Sequence, residues 1–186
     1  MRLFVAIAVP DSVKQHARML RNYLGRSRPD IKWVEYDNYH LTVKFLGEVN
    51  SADLPRLKKQ LVLTGEAVPP FYLSAGGLGY FPNSRRPRVI WLGIKGELDK
   101  AAFLGERVDA YLGELGFEPE RDHRFHLTLG RIRTEDNLKE MQKSIEQLET
   151  RDKLIGFKVD RFQLMMSELS RSGPKYFELG SFDLKG

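Results

Sequence analysis

His40-Leu41-Thr42-Val43-Lys44-Phe45-Leu46 alternates strictly, with Leu41, Val43 and Phe45 on one face and His40, Thr42 and Lys44 on the other. A period of two predicts a half-buried β-strand, because successive side chains leave opposite faces of the pleat. Residues i and i+2 then share a face, so His40 sets an imidazole beside the Thr42 hydroxyl while Leu41 turns into the core. The same tripeptide returns as His126-Leu127-Thr128, inside the apolar stretch Phe125 to Leu129. Leu3 precedes His40 by 37 residues, and Val89 precedes His126 by 37 as well. The halves therefore align at an offset of 86, apolar strand on apolar strand and His-x-Thr on His-x-Thr. Few aligned side chains are identical, which makes this weak internal symmetry and not a repeat array.

Working outward, each half has the same plan. Leu3 to Val9 reads as a buried strand ending at Pro10; Arg2 and the apolar run resemble a signal peptide only briefly, since Pro10-Asp11-Ser12 replaces a cleavage site. Asp11 or Ser12 then caps a helix that carries Val13, Ala17, Leu20 and Leu24 at helical spacing and stops at Gly25. Asn50 or Ser51 opens a second helix with Leu54, Leu57 and Leu61. Phe71-Tyr72-Leu73 starts a strand, and Gly76 to Arg88, rich in Gly, Pro and Arg, reads as a loop. In the second half, Val89 to Ile94 is an apolar strand. A helix follows from about Glu97 to Leu115, then the His126 strand, then a helix from Glu135 to about Leu148. Strands near Phe157–Met166 and Tyr176–Leu184 close the chain. The sum is an α+β arrangement of two similar lobes with helices on their outer faces. No linker separates them, so residues 1–186 are expected to form one domain.

Composition narrows the partners. The 186 residues carry 30 Lys+Arg against 25 Asp+Glu, a net charge of +5, and 41% hydrophobic residues. That share fits a globular chain and excludes a disordered one. No 18-residue apolar run exists, so no membrane partner is expected. With no Cys, disulfides, thiolate zinc sites and a Cys nucleophile are excluded, and a reducing, cytoplasmic setting fits. The modest positive charge suits an anionic partner.

Two imidazoles and two hydroxyls related by symmetry form a recognisable chemical set. One neutral His takes a proton while a protonated one gives a proton, since an unperturbed pKa near 6.5 lets both forms exist near neutrality. Thr hydroxyls donate to the oxygens of a phosphate. This set suits in-line displacement at a strained cyclic phosphodiester, with base on the attacking water and acid on the leaving oxygen, and it calls for neither metal nor cofactor.

With these residues in view, the sequence resembles the 2H phosphoesterase superfamily, and most closely the RNA 2′,3′-cyclic phosphodiesterases, also called 2′-5′ RNA ligases (LigT-like). The likeness runs nearly end to end. It takes in Arg2 to Ile7, His40 to Gly47, Gly77-Leu78-Gly79-Tyr80-Phe81-Pro82-Asn83 and Arg88-Val89-Ile90-Trp91. It continues through His126-Leu127-Thr128-Leu129-Gly130-Arg131 to Ser167 and Gly173-Pro174-Lys175-Tyr176. The resemblance implies a bilobal fold whose central cleft faces both tripeptides. It also implies hydrolysis of RNA 2′,3′-cyclic phosphate ends, tRNA fragments among them, or of nucleoside 2′,3′-cyclic phosphates, to 2′-phosphates, with a reverse-type 2′-5′ joining of RNA ends. His40 and His126 carry over as the catalytic pair, and Thr42, Thr128 and Arg131 as phosphate ligands; a monomer is expected. We assign His126 as base and His40 as acid, an order the near symmetry leaves open. Strict parity puts Arg131 opposite His126, so the strand must end or bulge if Arg131 reaches phosphate. Gly130 stands where relatives often carry Ala, a departure expected to be harmless.

Weaker signals have plainer readings. Phe45 lies on the core parity and is expected to pack. Asp122, His123 and His126 have near-metal spacing, but three apart on a strand means opposite faces, so no metal site is expected. His16 reads as a partly exposed helix residue, and Gly77-x-Gly79 as turn chemistry. Arg85, Arg86 and Arg88 form a loop cluster that either contacts an RNA backbone or is merely solvated, with Lys44 and Arg131 as further available counter-charges. Two other functions share the same cleft: an RNA-end or nucleotide-binding protein without turnover, and a phosphodiesterase for another cyclic or 2′-5′ linkage.

Overall fold

A computed structural model describes residues 1–148 and 153–186. Its elements run β1 (Arg2–Ala8), α1 (Asp11–Gly25), β2 (Ile31–Trp33), β3 (His40–Glu48), α2 (Leu54–Ala67), β4 (Phe71–Phe81), β5 (Val89–Gly96), α3 (Leu98–Gly113), β6 (His126–Ile132), α4 (Leu138–Leu148), β7 (Ile155–Val159), β8 (Arg161–Ser170) and β9 (Gly173–Asp183). The strands form two antiparallel sheets, one ordered β3-β1-β8-β9 and the other β2-β6-β5-β4-β7. The α+β expectation holds.

The symmetry of the sequence is visible in this order. β1 pairs with β3 as β5 pairs with β6, so each apolar strand flanks the His-x-Thr strand of its own half. On its other side each takes a strand from the opposite half: β8 joins β1, and β4 joins β5. One apolar core draws on both sheets and on every helix, from Val5, Ile7 and Leu41 to Ile90, Leu92 and Leu127.

Several local expectations are corrected. α1 begins at Asp11 with Pro10 in the cap position, and the Pro10 carbonyl accepts from the amides of Val13 and Lys14, so no side chain caps it. Asn50 does accept from the Ala52 amide, but it opens a 3-10 turn over Ser51–Asp53, and α2 starts at Leu54. The segment read as a loop from Gly76 is strand as far as Phe81: an irregularity between Ala75 and Leu78 absorbs the glycines, and the Trp91 indole lies across Gly79. The single strand read over Phe157–Met166 is two, β7 and β8, in different sheets, separated at Asp160. β2, only three residues long, has no periodicity to announce it.

Candidate active site

Both His-x-Thr strands carry a bulge directly after the tripeptide. In β3, Thr42 pairs with Ala6 and Lys44 with Val5, which leaves Val43 without a partner. In β6, Thr128 pairs with Trp91 and Gly130 with Ile90, which leaves Leu129 over. An extra residue reverses the parity of everything beyond it. His40, Thr42 and Phe45 therefore share one face of β3, and His126, Thr128 and Arg131 share one face of β6, at equivalent positions of the two halves.

The bulge overturns two expectations and supports a third. Phe45 does not pack in the core; it is 69% exposed, on the histidine face. Lys44 is no counter-charge for RNA; it is 2% exposed and bound to Asp109. Arg131, exposed, meets the parity condition, because the bulge puts it on the His126 face. Gly130 is not a neutral departure either. A β-carbon there would lie 2.5 Å from Ile31 Cγ2 and 3.1 Å from the Lys32 carbonyl, so glycine lets β2 lie close against β6.

His40 is held at both ring nitrogens. Nδ1 lies 2.7 Å from the Asn38 carbonyl and Nε2 lies 2.9 Å from Thr42 Oγ1. A carbonyl only accepts, so Nδ1 carries the proton, and the neutral ring presents the Nε2 lone pair to the hydroxyl. Asn38 is itself tied down, its amide donating to the Pro174 carbonyl at 2.9 Å. Phe4 and Tyr176 wall the imidazole, with ring centres 4.9 and 5.3 Å away. Burial pushes the His40 pKa down; the Asn38 carbonyl opposes this by favouring the imidazolium, and the Lys14 charge adds to the depression. His126 sits between Phe81 at 5.4 Å and Trp91 at 6.2 Å, and burial lowers its pKa too. Sequence reasoning gave these aromatic walls no role. Phe4 hides in a run of apolar residues, and Phe81, Trp91 and Tyr176 carry no polar motif to single them out.

β3 and β6 touch although they belong to different sheets. Arg85, Arg86 and Arg88 are exposed on the hairpin between β4 and β5, where Asn83 Oδ1 accepts the Arg85 and Arg86 amides. Among the described residues no three His, Asp or Glu side chains converge as metal ligands. His123, the residue with apparent metal spacing, is bound to Asp109 instead.

Two antiparallel sheets, each presenting one His-x-Thr strand, are the fold of a 2H phosphoesterase. The model of the LigT-like phosphoesterases matches residues 7–91 and again residues 93–176, once in each half. An Archaeoglobus fulgidus protein named RNA 2′,3′-cyclic phosphodiesterase is 36% identical over 98% of this chain and 100% of its own. A Methanothermobacter thermautotrophicus protein of the same name is 32% identical over 98% of both chains. Among solved structures, TT0787 of Thermus thermophilus superposes with a TM-score of 0.81 at 28% identity, covering 100% of this chain and 99% of that one. The chain belongs to the LigT-like phosphoesterase family.

Proposed function

We propose that the protein is an RNA 2′,3′-cyclic phosphodiesterase that opens the cyclic phosphate to a 2′-phosphomonoester by acid-base catalysis between His40 and His126. One observation carries the reading: each of two touching strands sets an imidazole and a threonine hydroxyl on one face, and a bulge adds a third side chain to that face. The names of the relatives supply the RNA substrate.

Water attacks phosphorus in line with the departing 3′ oxygen. His126 takes the water proton and His40 Nε2 gives one to the 3′ oxygen, so the pair ends with its protonation exchanged. The Asn38 carbonyl holds the His40 proton at Nδ1 and leaves Nε2 to exchange protons with the substrate, and burial lowers the pKa of both histidines. Thr42, Thr128 and Arg131 donate to the phosphate oxygens as charge develops. That donor set balances phosphate charge without a metal. A 5′-hydroxyl in place of water gives the 2′-5′ joining reaction by the same displacement. Phe45, exposed beside Phe4 (ring centres 6.3 Å apart), offers the nucleobase a face. The reading extends to tRNA fragments as RNA ends, to a monomeric enzyme and to a cytoplasmic setting.

Product analysis on a short RNA with a defined 2′,3′-cyclic end tests this. Conversion to the 2′-phosphate, undiminished by EDTA, is expected. A 3′-phosphate product, or activity lost to EDTA and restored by a divalent ion, contradicts it. Binding of the RNA end with no turnover returns the cleft to a binding role.

A further inference from the structure

On the core side of β3, two side chains and a backbone amide from separate parts of the chain meet at one carboxylate. Asp109 on α3 accepts from Lys44 Nζ of β3 at 2.6 Å through Oδ1. Its Oδ2 accepts from His123 Nε2 at 2.8 Å and from the Glu120 amide at 3.1 Å. Lys44 also donates to the Glu118 carbonyl. All three side chains are nearly sealed from water, at 2%, 9% and 8% exposure for Lys44, Asp109 and His123. The seat is shaped for the imidazole: Gly105, one turn before Asp109 on α3, has no β-carbon where the His123 ring lies.

The placement matters for the reaction. Lys44 comes two residues after Thr42, directly past the bulge that brings Phe45 to the histidine face. His123 comes three residues before His126, in the segment that leads into β6. The sheets that carry β3 and β6 share no strand, and this carboxylate links β3 to the segment that enters β6. A buried ion pair is a poor source of net stability, because desolvation offsets its attraction. It is well suited to holding geometry, since removing one partner leaves the others unpaired.

We infer that Asp109 is a positioning residue, which fixes the two His-x-Thr strands relative to each other through Lys44 and His123. The inference rests on the proposed two-histidine reaction. It needs both imidazoles to bracket one phosphorus, and a displacement of about 1 Å can cost orders of magnitude in rate.

The test uses the full chain and a nucleoside 2′,3′-cyclic phosphate. Asp109→Asn keeps the shape and removes the charge, Lys44→Met removes the β3 partner, and His123→Phe removes the side-chain partner ahead of β6 while the Glu120 amide stays. Each is assayed well below its own melting temperature, so loss of folded protein does not enter. The expected result is a fall in kcat of about tenfold or more, with KM changed less than threefold and both limbs of the pH profile retained. Any one folded variant showing this pattern is enough support. Folded variants whose kcat stays within twofold of wild type, or whose loss lies wholly in KM, overturn the inference. An inactive wild type would instead be a failure of the proposed function, which separates the two.

Discussion

His40 has one ring nitrogen committed to the Asn38 carbonyl, so all its proton traffic runs through Nε2, beside Thr42. Burial pulls both histidines below the ordinary imidazole value of about 6.5. The productive free enzyme holds one proton on the pair, so kcat/KM reaches its maximum between two apparent pKa values that both lie under 6.5. Its optimum is therefore expected on the acid side of pH 6.5. The bound phosphodiester is an anion and favours the imidazolium, so the kcat optimum should fall at higher pH than that of kcat/KM. Profiles measured with a cyclic nucleotide check both points, and a kcat/KM optimum above pH 7 contradicts them. At the same scale, Thr42→Ala and Thr128→Ala each remove a hydroxyl proposed to bind phosphate, Thr42→Ala also the partner of His40 Nε2, while both imidazoles stay. Their losses in kcat/KM should be smaller than those of the histidine variants.

At the scale of elements, the paired bulges are what put a third side chain on the His-x-Thr face of each strand, at the proposed site. The tripeptides were legible because period two is a strong signal. What followed them was not: a bulge adds one residue to a pairing that only the neighbouring strand reveals, so Phe45 read as core and Lys44 as surface. Parity calls for a bulge before Arg131 if that residue is to share the His126 face, but it makes no such demand in β3, because Phe45 is as credible in a core as on an open face. Gly130 belongs to this scale as well. Gly130→Ala would push a methyl into Ile31 and the Lys32 backbone, and overpacking of this kind costs about 1–3 kcal/mol. At roughly 2–4 °C per kcal/mol for a chain of this size, a fall in Tm of several degrees is expected in a thermal melt. An unchanged Tm would mean that β2 does not depend on the close approach.

At the scale of the molecule, the offset of 86 residues disclosed two halves but not their exchange of β4 and β8, since sheet order is a matter of long-range pairing. That exchange gives each sheet strands from both halves. Arg85, Arg86, Arg88 and Arg131 are exposed, and Lys44 is withdrawn into the interior. Binding of an RNA end should weaken as salt rises. Replacing one contacting arginine by Ala should lower the slope of log affinity on log salt by about 0.7, the share of one phosphate on a single strand. Titrations at several salt concentrations check this, and a flat response removes the electrostatic role.

The central claim is that His40 and His126 act as one acid-base unit from two different strands, and kcat for the single and double variants tests it most directly. His40→Ala and His126→Ala should each lower kcat by on the order of 10²-fold or more. Because the groups serve the same step, the double variant should be little worse than the poorer single. Near-wild-type kcat in either folded single variant, or losses that multiply in the double, would contradict the two-histidine mechanism.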